Sequence, residues 1–181
     1  ISSTEDEIFY LEGQLENIKN STEIYEIEEI KTELRQEGYL SLKYKNKGSK
    51  TNKLPSSIPL HFISSEGLNI YVGKNNKQND ILTLKSSSND DIWLHAKGIP
   101  GSHVIIKNNN SEITNKTLTE AGILASYYSK ARYSENVAVD YTKVKNVKKP
   151  KGAKPGMVIY DDYQTLFVTP SEAIIYNLKR C

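Results

Sequence analysis

Apolar residues recur along this chain at two periods, one helical and one extended. Ile8, Leu11, Leu15 and Ile18 follow one another at spacings of three, four and three, a helical stripe of heptad form. Ser3 or Thr4 is placed to cap that helix, and Glu5, Asp6 and Glu7 fill its first turn, where a helix favours negative charge. Asn20-Ser21-Thr22 interrupts the stripe, and Thr22 is the expected cap of a second helix. Ile27, Ile30 and Leu34 continue the stripe to a stop at Gly38. Two readings of this helical pair stay open on pattern alone. It is either an amphipathic pair packed on the rest of the chain or the base of a longer antiparallel coiled coil.

Beyond Gly38 the period shortens. A strand is expected over Tyr39–Tyr44, then a lysine-bearing loop with Lys45, Lys47, Lys50 and Lys53. Leu60–Ile63 and Leu68–Val72 flank Ser64-Ser65-Glu66-Gly67 as a hairpin. Asn79 or Asp80 is the expected cap of a short helix ending at Leu84. Thr117, with Glu120 as capping-box partner, opens a longer helix to about Arg132, buried along Leu118, Ala121, Leu124, Ala125 and Tyr128. Strands are expected at Val137–Tyr141, Met157–Tyr160 and Thr165–Val168, the last two separated by Asp161-Asp162. A short helix opens at Pro170-Ser171-Glu172. The expected class is therefore α+β: a mostly antiparallel sheet with one main helix, preceded by a helical arm.

The stretch from Asp90 to Ile106 is the most informative. Ile92, Leu94 and Ala96 fall on one face of an extended segment, and Asp91, Trp93 and His95 on the other. Gly98, Pro100 and Gly101 supply a reversal, and Val104–Ile106 reads as a buried return strand. If Ala96 and Ser102 pair across this hairpin, His95 and His103 become cross-strand neighbours.

Composition changes the picture in one respect. The net charge of +2 conceals a division: residues 1–37 carry −8 and the remainder +10. Such asymmetry assigns the basic part a polyanionic partner. No apolar run approaches the ~18 to 20 residues that cross a bilayer. The acidic start has no basic region ahead of an apolar one and is not a signal peptide; lacking Met, it is expected to lie inside a longer protein. The single cysteine, Cys181, forms no internal disulfide, which fits a reducing cytosol.

Three kinds of chemistry can be drawn from these residues. Asp91, His95 and His103 could hold zinc, but no fourth ligand lies near them in sequence, so no metal or other cofactor is expected. Asp91 with His95 could act as an acid/base pair, yet nothing supplies a nucleophile or oxyanion donors, and Ser102 beside His103 makes no triad; the chain does not read as an enzyme. In the alternative structural role, Asp91 orients an imidazole beside a buried Trp93. The basic loop says more. Lys143, Lys145, Lys148, Lys149, Lys151 and Lys154 lie between Asp140 and Asp161 with no acid among them, on a path fixed by Pro150, Gly152, Pro155 and Gly156. Six lysines on phosphates would give a log–log salt slope of up to about −5, through backbone contact rather than base reading. Trp93, Tyr141 and Tyr71 are able to stack on bases, with core burial the alternative for each. Asp140 and Tyr141 are assigned no direct role.

Asp-x-Trp-Leu-His-Ala (91–96) with Pro-Gly-Ser-His-Val (100–104) resembles the signature of the NFACT-R domain. That domain ends the RqcH/NEMF family of ribosome quality control proteins, labelled fibronectin-binding protein A in Gram-positive bacteria. Val139-Asp140-Tyr141-Thr142 with the run from Val144 to Gly156, and Tyr71–Asn76 ahead of the hairpin, agree in order. The resemblance implies residues 1–37 as the base of a coiled-coil arm and residues 38–181 as an RNA-binding NFACT-R domain. It implies a cytoplasmic, non-enzymatic module contacting the large ribosomal subunit (rRNA) and tRNA, in a factor that binds subunits obstructed by peptidyl-tRNA and supports alanine tailing. The contact residues expected are Lys97, Lys143, Lys145, Lys148, Lys149, Lys151 and Lys154, with Trp93, His95 and His103. The alternative that the older label implies is a surface adhesin with fibronectin as its partner.

Overall fold

A computed structural model describes residues 4–41, 57–109 and 112–181. The chain opens with helices α1 (Thr4–Asn20) and α2 (Ile24–Gln36). The α1 termini match the helix dipole, with Glu5, Asp6 and Glu7 at the start and Lys19 at the end. Thr22 does not cap α2. The Glu26 carboxylate reaches back to accept the Thr22 and Glu23 N–H groups, so the first turn is closed by an acid from within. Gly38 ends the helix at φ +84°, as its place in the sequence predicts. The strand expected at Tyr39 does not begin there, since the Tyr39 and Leu40 N–H groups bond back to the Leu34 carbonyl at the end of α2. The rest of that segment, and the loop with Lys45, Lys47, Lys50 and Lys53, lie outside the described residues.

The apolar stripe of α1 is not its buried face. Ile8 and Leu15 are 52% and 51% exposed, whereas Tyr10, Gln14 and Asn17 are buried. A buried hydrogen-bond network joins α1 to α2 and, through Asn17 and Asn76, to the rest of the domain. The buried Glu33 of α2 accepts from the Tyr10 hydroxyl (2.9 Å), the Asn76 amide (3.1 Å) and the Gln14 amide. Burial raises the Glu33 carboxyl above its ordinary value despite these donors.

Seven strands form one antiparallel sheet: β1 (Leu60–Ile63), β2 (Asn69–Val72), β3 (Ile92–Ala96), β4 (Val104–Ile106), β5 (Val137–Lys143), β8 (Gln164–Val168) and β9 (Lys179–Arg180). Their order is β8-β5-β3-β4-β2-β1-β9. β6 (Val147–Lys148) and β7 (Ile159–Tyr160) make a separate two-stranded ribbon. On one face lies α4 (Asn115–Tyr127), with Ala121, Leu124 and Ala125 against Leu94, Ala96, Val104, Ile106 and Val139. Its cap is Thr114, which accepts from Thr117 N–H, rather than Thr117. Glu120 is drawn off to Ser65 N–H. A short helix α5 (Glu172–Asn177), capped by Ser171, follows β8.

The other face is also covered. There α3 (Asn76–Leu84) starts earlier than Asn79 because Asn75 caps it, its side chain accepting from Gln78 N–H. Leu82 of α3, Trp93, Ile105, Val144 and Val147 form a second, smaller core with Tyr71, Val158 and Tyr160 at its margin. Both faces of β3 are thus occupied, which is why Trp93 has no exposed surface.

Candidate nucleic-acid interface

The hairpin of β3 and β4 pairs Ile92 with Ile106, Trp93 with Ile105 and Leu94 with Val104. That register sets His95 opposite His103, and their rings meet edge to face at 5.5 Å. Gly98 takes the positive φ, +65°, that the turn requires. His95 Nε2 lies 3.3 Å from the Gly101 carbonyl, closing the hairpin across its own loop. The Trp93 indole stacks beside His95 (5.7 Å), meets His103 edge-on (5.3 Å) and is tilted against Tyr160 (4.7 Å).

Burial disfavours the charged form of both imidazoles. Burial pushes His95 below its ordinary value, against the opposing pull of the Gly101 carbonyl and Asp140. Burial pushes His103 further down, and His95 adds to it. His103 Nδ1 lies 2.8 Å from the Thr83 hydroxyl, and the backbone N–H of His103 donates to Asn79 Oδ1 at 3.1 Å.

The basic loop is fixed from α3: Asp80 accepts from Gly156 N–H at 3.1 Å and from Lys149 Nζ at 2.9 Å. Gly156 has φ +80°, and a Cβ there would stand 2.7 Å from Asn76 Oδ1, so only glycine fits. The same Lys149 ammonium donates to the Lys154 carbonyl at 2.7 Å.

The six loop lysines therefore do not form one array of free cations. Lys149 is an internal tie. Lys154 faces the arm, 3.6 Å from Glu37 and over the rings of Tyr39 (4.8 Å) and Tyr10 (5.0 Å). Lys143 pairs with Asp90 (3.0 Å) and Lys148 with Asp161 (3.5 Å), both in exposed positions. Lys145 and Lys151 are exposed and make no ion pair among the described residues. Lys97 lies 3.2 Å from Asp140 and over Tyr163, partly exposed.

Other expectations need correcting. Trp93 and His103 are buried in the second core and offer no surface for stacking on a polymer; His95 is half-buried. Tyr71 stacks on His61 at 4.5 Å, and the Tyr141 hydroxyl donates to Gln164. Asp91 orients no histidine. It accepts from Lys107 Nζ (2.7 Å), Ser88 N–H (2.8 Å) and Asn108 N–H (2.9 Å), fastening the loops at the base of the hairpin. Asp140, assigned nothing from sequence, is a hub. It is buried in β5 and accepts from the Tyr160 hydroxyl (2.8 Å), the Thr165 hydroxyl and Lys97. Burial and this bond raise the Tyr160 phenol above its ordinary range. The signal for Asp140 was an acid inside a strand otherwise apolar on that stretch, which only a buried network explains.

A cavity of about 360 Å³ lies where three parts of the chain meet. The hairpin contributes Trp93, His95, Gly98, Pro100, Gly101 and His103. The basic loop and ribbon contribute Pro155 to Val158 and Tyr160, and α1 contributes Glu5, Asp6, Phe9, Tyr10 and Gly13. Aromatic side chains line it together with the acidic start of α1, and burial disfavours the charged form of both its histidines. Among the described residues no three His, Cys, Asp or Glu side chains converge to hold a metal ion. No helix among them is long and apolar enough to cross a membrane.

Comparison with known proteins agrees with this arrangement. The family described as the NFACT protein RNA binding domain matches residues 59–162. The Rqc2 homolog RqcH of Bacillus subtilis (strain 168) is 44% identical over 180 residues, covering 99% of this chain and 31% of that protein. The ribosome quality control complex subunit NEMF of Homo sapiens is 41% identical over 73 residues, 40% of this chain and 7% of that protein. The solved C-terminal part of the fibronectin/fibrinogen-binding protein from Streptococcus suis is 40% identical with a TM-score of 0.85, over 97% of this chain and 68% of that one. The chain thus spans about a third of the length of the bacterial RqcH relatives it matches.

Proposed function

The chain belongs to the NFACT RNA-binding-domain family, and from that premise we propose that it is the RNA- and ribosome-binding module of a ribosome quality control factor. The observation that carries this reading is the basic loop: a fixed backbone with cations turned outward on it. Lys145 and Lys151 are the leading phosphate contacts. Lys143 and Lys148 join them readily, because exposed ion pairs are worth only ~0.2–1 kcal/mol and a phosphate can displace the carboxylate. Lys149 and Lys154 shape the surface rather than touch RNA, and Lys97 stands at its edge. Binding here is to phosphate backbone, so it positions the RNA without reading sequence.

In the longer protein, residues 1–37 are the base of a helical arm and residues 38–181 the RNA-binding domain. The factor holds large ribosomal subunits obstructed by peptidyl-tRNA and supports tRNA recruitment for C-terminal alanine tailing, in the cytoplasm. This module contributes binding and no catalysis. The ribosome-quality-control names of the bacterial and human relatives support that role. The Streptococcus suis relative is described as fibronectin/fibrinogen-binding. Nothing in the geometry of this chain favours fibronectin over RNA.

The test is co-sedimentation of the full-length parent with purified large subunits, with and without attached peptidyl-tRNA. Enrichment on obstructed subunits, weakened by Lys145→Glu with Lys151→Glu, is the expected result. Equal recovery with and without subunits would overturn the reading.

A further inference from the structure

The hairpin motifs, the end of the basic run and Asn76 from the stretches that carried the family resemblance all line the cavity between hairpin, basic loop and α1, although the loop lysines do not. We propose that this cavity takes one unstacked nucleobase of a single-stranded RNA segment, an inference that rests on the RNA-binding reading above.

The walls decide what enters. Phe9, His95 and Tyr160 are partly exposed aromatic rings in the lining, with Met157 as a polarisable neighbour, which suits a planar heteroaromatic ring. Trp93 lies behind them with no exposed surface, so it backs the wall without touching a ligand. Glu5 and Asp6, at the start of α1, repel a phosphate but accept N–H groups from the edge of a base. The ligand is thus uncharged inside the cavity, with its backbone phosphates left to the lysines outside. A volume of about 360 Å³ lies within the ~300 to 1,000 Å³ range of small-molecule sites. Recognition of splayed-out bases by aromatic pockets is the usual route to single-stranded RNA.

The sole tryptophan of the chain lies at this site, so its emission reports on occupancy. Gly13 lies beside Pro100 in the cavity lining, and a Cβ there meets only Pro100 Cβ, in ordinary contact at 3.8 Å. Gly13→Leu therefore fills the space from the helix side and favours the helix itself. Met157→Phe fills it from the loop side.

The intact chain is titrated with a fluorescein-labelled single-stranded oligoribonucleotide and with the corresponding duplex, following label anisotropy and Trp93 emission together. Single strands are expected to change Trp93 emission. Each filling variant is expected to weaken single-strand binding about tenfold, the loss of one base stack, while duplex affinity stays the same. If single strands bind with Trp93 emission unchanged and both filling variants bind like the original, the base site is overturned and the lysine surface stands. If neither RNA binds the original chain, both readings fall.

Discussion

Lys149 is bound to Asp80: its ammonium lies 2.9 Å from one carboxylate oxygen and 3.1 Å from the other. A lysine that composition alone assigns to phosphate is instead the clasp of the loop that presents its neighbours. The same Asp80 carboxylate holds Gly156 N–H, so one acid on α3 sets both ends of the segment.

Lys149→Ala is therefore expected to lower stability by ~1 kcal/mol, the scale of a lost hydrogen bond between partly buried groups. Hydrogen exchange at residues 150–157 should accelerate with it. Lys151→Ala, an exposed change, should leave both the urea midpoint and the exchange unchanged.

Trp93 fills the second core with no exposed surface. Trp93→Ala should cost roughly 3 to 5 kcal/mol, measured by urea unfolding followed by circular dichroism. A variant that unfolds at the original midpoint would contradict the assignment of Trp93 to the core.

The buried histidines make stability depend on pH. His95 and His103 both titrate below the ordinary value of 6.5 in the fold, so near and below that pH the unfolded chain binds protons that the fold refuses. Their contribution is fully present above pH 6.5 and is lost as pH falls toward the folded values. Glu33, raised in the fold, works in the opposite sense and nearer the carboxylate range. The urea midpoint should thus be lower at pH 5.5 than at pH 7.5, and the difference should shrink in His103→Gln. Equal midpoints in the original chain would mean that a charged ring is tolerated there.

Glu33 is the acceptor on which α1 hangs. Glu33→Ala leaves the Tyr10 hydroxyl and the Asn76 and Gln14 amides without their shared partner, at ~1–3 kcal/mol for each donor left buried and unpaired. Amide exchange in α1 should rise well before that of β3 and β5. Uniform protection of helix and sheet would show that α1 is held by something else.

Much of this was legible in the chain. The period-two pattern at 92–96 named both faces of β3 correctly, and the hairpin turn brought His95 opposite His103 because register follows once the loop length is set. The α+β class and the antiparallel sheet follow from short alternating strands parted by turn residues. Three things were not legible, each for the same physical reason. The heptad spacing of Ile8, Leu11, Leu15 and Ile18 marks an apolar stripe, but α1 docks through Tyr10, Gln14 and Asn17. Hydrogen-bonded burial leaves no mark in a hydrophobic pattern. Asp91 and Asp140 gain their partners from segments distant in sequence. The lysine run reads as uniform charge, and only the fold divides its anchors from its exposed ends.

The central claim is that RNA lies on the outward lysines of the anchored loop. Anisotropy of a labelled ribosomal RNA fragment, titrated across a salt series, tests it with the chain carrying Lys145→Glu and Lys151→Glu against the original. Weaker binding is expected, with a log–log salt slope shallower by roughly 2, one unit for each lost phosphate contact. An unchanged slope with unchanged affinity would contradict it.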